Sequence, residues 1–272
     1  MCELFGVCTP RPIRCNELLE EFFSHGERHP DGWGMASFRH RESPEIYRSP
    51  ESSHQSGFLR RYLTSTMERE AFMAHIRHAT AGRVCMSNTH PFALADRSGR
   101  IWTLAHNGTI FRSCLTEPYA AVQRGSSDSE RILCCLVAEI NRRIARRGRS
   151  LPSRQRFAVI EELVHRLCPH NVVNLLLHDG ELMYVHTNRV GRLHMNSSRG
   201  FIFSTQPLGA GSWTPVPLNT LLACRGGRLV FRGREHGHTF DEGQDYVALL
   251  RRHGLLQEQS APRTGPAVRR PA

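Results

Sequence analysis

Two helical patterns stand side by side in the middle of this chain, with strand patterns before and after them. That order constrains the fold more than any other feature. Ser127-x-x-Glu130 is a capping-box sequence opening an apolar period of 3.6 that runs to about residue 145, with Ile132, Leu133, Leu136, Val137, Ile140 and Ile144 on one face. A second helix is predicted over 154–167, with Phe157, Ile160, Leu163, Val164 and Leu167 inward and a stop near Pro169. Upstream, residues 2–8, 32–38, 72–77 and 101–105 read as strands, and 16–24 and 57–67 as helices. Downstream the period changes to two. Short strands are predicted over 172–177, 182–187, 192–195, 201–204 and 221–225, with turns such as Asp179-Gly180 between them. His106-Asn107-Gly108 reads as a turn leaving the 101–105 strand. Strands and helices do not alternate, so the pattern excludes a doubly wound parallel sheet and points to a layered α+β fold.

The chemistry this fold could host is narrowed by what is missing. All 36 basic residues are arginine; the 272 residues contain no lysine. No Schiff-base lysine can hold pyridoxal phosphate, no Gly-Lys-Ser/Thr loop can cradle a nucleotide, and no lysine can serve as a base. The formal net charge of +11 is local. Seven arginines and no acid lie in 141–156, and five arginines with one acid lie in 251–272, while the remaining body is balanced. A solvated helix end and a disordered basic tail account for this more simply than a nucleic-acid groove. A single body over 2–250 followed by a tail over 251–272 is the expected organisation. No stretch approaches the roughly 20 apolar residues of a membrane helix, and the first residues lack a secretory pattern. Nine scattered cysteines without Cys-x-x-Cys spacing read as free thiols, which together suggest the cytoplasm.

Cys2 is the most informative single residue. Removal of Met1 would leave a thiol and an α-amine on one residue, with ordinary pKa values near 8.5 and about 7.7–8.0. The amine can then take the thiol proton and later return it to a leaving group, so no separate base is required. A cysteine at this position carries little weight alone. Around it stand Cys2-Glu3-Leu4-Phe5-Gly6, then Arg28-His29-Pro30-Asp31-Gly32-Trp33-Gly34, then His75-Ile76-Arg77-His78-Ala79-Thr80. Asn88-Thr89-His90-Pro91-Phe92, His106-Asn107-Gly108 and Ser126-Ser127-Asp128-Ser129-Glu130 follow.

In this order and at these separations the set resembles the class II glutamine amidotransferases, and among them the short, stand-alone bacterial YafJ-like type. The resemblance spans about residues 2–235. It implies a four-layer αββα sandwich of the N-terminal-nucleophile hydrolase type. It also implies that Cys2 attacks a γ-amide, that the Asn107 side chain and Gly108 N–H form the oxyanion hole, that Arg77 clamps a substrate α-carboxylate and that Asp128 receives an α-ammonium. Thr80 and the 88–90 stretch are implied as pocket wall. His29 departs from the family turn, which often has glycine there.

On their own, Asp128 could be purely a capping residue, Arg77 a surface ion pair and Asn107-Gly108 an ordinary hairpin turn. The 31–34 stretch reads as turn and strand packing. A metal at His75, His78, His90 and His106 is disfavoured, because a strand puts His75 and His78 on opposite faces. Cys134-Cys135 reads as helix core. The expected function is therefore a thiol amidohydrolase acting on glutamine or a γ-glutamyl compound, with no cofactor and no metal. The alternatives are a glutaminase subunit that passes ammonia to a separate synthase, and an arginine-rich binding module on an inactive fold.

Overall fold

Strands from distant parts of the chain gather around the N-terminal segment. The computed structural model describes residues 2–39, 42–79, 82–111, 113–241 and 246–254. The first strand, β1 (Glu3–Arg14), is flanked by β4 (Glu68–Ile76), with Phe5 opposite Ala74, and by β10 (Phe201–Ser204), with Phe5 opposite Ser204. Beyond these lie β2 (Trp33–Ser37) and β3 (Glu45–Ser49) on one side, and β9 (His194–Asn196) and β11 (Thr214–Pro215) on the other. The resulting antiparallel order is β11-β9-β10-β1-β4-β2-β3. A second antiparallel sheet is built from β5 (Phe92–Ala95), β6 (Ile101–Thr109), β7 (Val172–His178), β8 (Met183–His186), β12 (Leu222–Arg225) and β13 (Arg228–Arg232), in the order β13-β12-β8-β7-β6-β5.

Side-chain alternation assigns each face of each sheet to a different core. Leu4, Ala36, Met73 and Phe203 of the first sheet meet Ala105, Leu176, Val185 and Leu222 of the second in an inter-sheet layer. A Cβ on Gly6 would lie 2.9 Å from Leu176 Cδ1, so glycine is what allows β1 and β7 to approach there. The other face of the first sheet carries Phe5, Phe72, Ala74 and Ile76. It is covered by α1 (Asn16–Ser24), through Leu19, Phe22 and Phe23, and by α2 (Gly57–Thr64), through Leu59 and Leu63. The outer face of the second sheet is covered by α3 (Asp128–Arg147) and α4 (Ser153–Leu167), whose Ile132, Leu136, Ile140, Phe157, Ile160 and Val164 pack on Trp102, Leu104 and Tyr184. This is an αββα sandwich. A last helix, α5 (Tyr246–Arg252), takes in the first two residues of the expected 251–272 tail; residues from 255 onward lie outside the described residues.

Three local expectations are corrected. His106-Asn107-Gly108 is not a turn: β6 continues through it to Thr109, with Asn107 opposite Asn174 and Gly108 opposite Val173. The capping box at α3 is not reciprocal. Ser127 Oγ accepts from Ser129 N at 3.1 Å, but the Glu130 carboxylate turns back to Arg124 N and Gly125 N at 2.9 and 2.8 Å. Finally, the 141–156 arginines are not all solvated. Arg156 is buried, with its Nε 2.6 Å from Asp179 and its Nη2 2.6 Å from Glu181, because the buried Asp179 at the β7–β8 turn needs a cation.

Buried imidazoles are expected to make this fold acid-sensitive. Burial pushes His75 down to about 3 and His178 down to about 4. The unfolded chain binds protons at both near pH 6.5 while the folded chain does not, so stability is complete above that pH and is lost as pH falls. The expected loss is about 2–3 kcal/mol per pH unit for the two together between about pH 6 and about pH 5. Urea midpoints measured across that interval check it; a flat profile contradicts the neutral burial of these rings.

Candidate active site

Cys2 stands immediately before β1, and its thiol donates to the His78 carbonyl at 3.5 Å. The strand it precedes is latched at its start, with Leu4 N donating to Thr205 Oγ1 at 2.8 Å and Thr205 N to the Leu4 carbonyl at 3.0 Å. Burial pushes the Cys2 thiol up; the Arg77 guanidinium draws it partly back and the Asp128 carboxylate adds to the rise. Arg77 and Asp128 therefore each lie within electrostatic reach of the Cys2 thiol.

Arg77 is the first residue past β4 and is buried. Its backbone is fixed by the 31–32 loop, Arg77 N donating to the Gly32 carbonyl at 2.7 Å and the Arg77 carbonyl accepting from Asp31 N at 3.1 Å. The guanidinium donates to the carbonyls of Gly82 at 3.2 Å, Arg83 at 3.4 Å and Asp31 at 3.5 Å. Asp31 itself accepts from Ala79 N at 2.7 Å. The 31–34 stretch thus shapes the strand exit that carries Arg77.

Asp128 opens α3, where the helix dipole favours a carboxylate. Its Oδ2 accepts from Ile110 N at 2.7 Å and its Oδ1 from Ser129 N at 2.9 Å, tying the helix start to the end of β6. Asn107 and Gly108 occupy that end of β6. The Asn107 carbonyl accepts from Asn174 Nδ2 at 2.7 Å, while its side-chain amide has no hydrogen-bond partner among the described residues. A Cβ on Gly108 would lie 2.0 Å from the Val172 carbonyl oxygen, so no side chain fits at that position.

Thr80 lies outside the described residues. Asn88 braces the neighbouring loop: its Nδ2 donates to the Arg83 carbonyl at 2.9 Å and to Ser126 Oγ at 3.0 Å, and its Oδ1 accepts from Ser126 N at 2.7 Å. The His90 ring packs against His75 in a tilted pair, with centroids 4.1 Å apart. Among the described residues, the ligand atoms of His75, His78, His90 and His106 do not converge on one point.

Two residues near the site had not been singled out. Glu3, beside the nucleophile, is buried and accepts from His25 Nδ1 at 2.8 Å and Gln206 Nε2 at 3.0 Å, with His29 Nε2 3.8 Å away. An acid alternating with apolar residues in a strand start gives no sign of such a network. Tyr246 of α5 sets its hydroxyl 2.6 Å from Thr109 Oγ1, and the charges of Asp128 and Cys2 reach it. It lies far from every motif in the chain, and nothing in its local sequence marks it.

The two facing sheets, flanked by helices and with a cysteine before the first central strand, define an N-terminal-nucleophile hydrolase sandwich. The class-II glutamine amidotransferase family profile matches residues 1–199, and the chain belongs to that family. It is 31% identical over 198 residues to YafJ of Escherichia coli, which carries a glutamine amidotransferase designation, covering 69% of this chain and 74% of that one. It is 24% identical over 264 residues to the uncharacterized protein MJ1515 of Methanocaldococcus jannaschii, covering 86% and 72%. The fold is similar to a predicted glutamine amidotransferase of Pseudomonas aeruginosa, with a TM-score of 0.63 at 22% identity over 85% of this chain and all of that one. It is also similar to glutamine phosphoribosylpyrophosphate amidotransferase of Bacillus subtilis, with a TM-score of 0.62 at 16% identity over 86% of this chain and 49% of that one. Membership makes the chain an enzyme whose class chemistry is hydrolysis of the glutamine amide with transfer of ammonia. Among the described residues, no helix is long and apolar enough to cross a membrane.

Proposed function

We propose that this enzyme is a thiol amidohydrolase that cleaves the γ-amide of glutamine or a γ-glutamyl compound through a Cys2 thioester. The observation that carries the reading is the Cys2 thiol ahead of β1, bonded to the carbonyl of the residue after Arg77 and within electrostatic reach of Arg77 and Asp128. Burial keeps the Cys2 thiol protonated near neutral pH, so attack needs a base at hand. With Met1 removed, the α-amine of Cys2 is that base. It takes the thiol proton as sulfur bonds to the γ-carbonyl carbon, then gives it to the departing ammonia or amine. A water molecule attacks the thioester, releasing the γ-carboxylate and restoring the thiol.

In this reading the Asn107 amide, unpartnered among the described residues, and the Gly108 N–H hold the tetrahedral oxyanion. The Arg77 guanidinium, a planar fork suited to a carboxylate, takes the substrate α-carboxylate. Asp128 takes the α-ammonium. The enzyme acts in the cytoplasm, where a free thiol nucleophile persists. The expected body spans 2–250.

Mass spectrometry after incubation with a glutamine-like electrophile tests this. The expected result is a chain lacking Met1 with a single adduct on Cys2. Retention of Met1, or an adduct on another of the nine cysteines, overturns it. A panel of glutamine and γ-glutamyl amides then identifies the amine released, and stimulation by an added ammonia-consuming synthase would mark a transferase subunit.

A further inference from the structure

We infer that the chain holds a Zn²⁺-class divalent metal ion at Cys168, His186 and His236, with His165 turning in as fourth donor on loading, on the helix-covered side of the second sheet. Three elements converge there. Cys168 follows the last residue of α4, His186 ends β8, and His236 lies in the irregular segment after β13. Cys168 Sγ is 3.9 Å from His186 Nε2, His186 Nε2 is 3.0 Å from His236 Nε2, and the three ligand atoms all lie within 4.8 Å of one another. Tetrahedral zinc with bonds of about 2.0–2.1 Å to nitrogen and about 2.3 Å to sulfur requires edges of about 3.3 Å between nitrogens and about 3.6 Å from sulfur to nitrogen. The two measured edges, 3.9 Å from Cys168 to His186 and 3.0 Å from His186 to His236, are each within a few tenths of an ångström of those values.

The surroundings prepare the donors. His186 Nδ1 lies 2.8 Å from the Val173 carbonyl oxygen, which can only accept, so that nitrogen carries the proton and Nε2 presents its lone pair to the cluster. This is the outer contact that orients metal-bound imidazoles. His165 stands one helical turn before Cys168 on α4. Its ring centroid is 5.1 Å from that of His236, and its Nε2 is buried without a hydrogen-bond partner among the described residues. His165 lies outside the group whose ligand atoms are within 4.8 Å of one another, so its side chain would have to turn inward to take the fourth position, and its unpartnered nitrogen leaves it free of a bond to give up. The donor set of one thiol and three imidazoles suits zinc over calcium or magnesium, which prefer oxygen.

The competing account is a metal-free proton bridge. His236 Nδ1 accepts from His238 N at 3.1 Å, so without metal its Nε2 carries a proton aimed at His186 Nε2. Loading would send the Cys168 thiol proton to solvent. It would also move the His236 proton to Nδ1, which would exchange the His238 N–H for a water. The segment can take that change because His238 is exposed. The site would be structural. It would pin the segment whose Phe240 N donates to the Asn188 carbonyl and whose His238 carbonyl accepts from Asn188 Nδ2, on its way to Tyr246 beside Thr109.

The test uses the full chain in a Cys2→Ala background, which removes the nucleophile as a rival thiol. Expected are one zinc per chain by elemental analysis, a thermal midpoint lowered by chelator and restored by Zn²⁺, and a thiolate-to-metal charge-transfer band with Co²⁺. His236→Ala, in a half-buried loop position where folding should survive, is expected to weaken Zn²⁺ binding by about 100-fold or more. Cys168→Ser is expected to remove the charge-transfer band. A metal-free protein whose midpoint ignores both Zn²⁺ and chelator overturns the inference in favour of the proton bridge. Full metal retention in His236→Ala overturns it in favour of adventitious binding.

Discussion

Cys2→Ala is expected to lower turnover of glutamine and γ-glutamyl amides by about 10⁴-fold or more, since removal of the nucleophile from a comparable covalent site leaves only binding and oxyanion stabilisation. The fold should be intact. Cys2 precedes β1, and its thiol makes one long hydrogen bond, to the His78 carbonyl at 3.5 Å, so the thermal midpoint should stay near that of the parent. Because the proposed base belongs to the same residue, a variant that keeps any residue ahead of Cys2 should lose activity to a similar extent with its thiol still present. In the processed enzyme, kcat/KM should rise with pH through the range of a free α-amine, about 7.7–8.0, because only the neutral amine accepts the proton. Equal steady-state turnover by Cys2→Ala and the parent would remove the mechanism. Full activity in the blocked variant would remove only the base.

Asn107→Ala carries the second-largest expected effect, a fall in kcat of about 10²–10³-fold, corresponding to about 2.7–4 kcal/mol of barrier. KM should change little, since the amide acts on charge that develops only in the transition state. The substitution separates chemistry from folding because the structural contacts at this position are made by backbone. Asn107 pairs with Asn174 in the β6–β7 ladder, and it is the Asn107 carbonyl that accepts from Asn174 Nδ2. Asn107→Asp keeps the volume and replaces the donor with a negative charge, so its loss should be at least as large. A decrease of less than about tenfold in either variant, by steady-state kinetics, would move the oxyanion hole elsewhere.

How much was readable in advance depended on what kind of force shaped each element. The helix over 16–24 matches α1, and the 201–204 strand matches β10, because both carry a buried apolar face that burial alone specifies. The strands with no signal, β3, β5, β11 and β13, are the edge strands of the two sheets. An edge strand is defined by hydrogen bonds to one neighbour, and its side chains are partly solvated, so Glu45–Ser49 or Arg228–Arg232 shows no apolar alternation. The Asn107-Gly108 pair misled for a related reason. Locally it favours a hairpin, but seven β6–β7 register pairs hold it straight, and the glycine serves close approach to Val172. Arg156 looked like one more solvated charge in an arginine run until Asp179, 23 residues on, met it in the interior.

The sequence by itself determined the layered α+β class, the two helix pairs and the candidacy of Cys2, Arg77, Asn107, Gly108 and Asp128, because periodicity and motif order are properties of the chain. Only the tertiary structure decided that Arg77 and Asp128 act on the same thiol, that Asp128 ties α3 to the end of β6, and that Cys168, His186 and His236 meet. Those residues lie 18 to 126 positions apart, and they are brought together by sheet register and by which face each strand turns inward. No local pattern encodes them, because their energy comes from burying two sheets against each other.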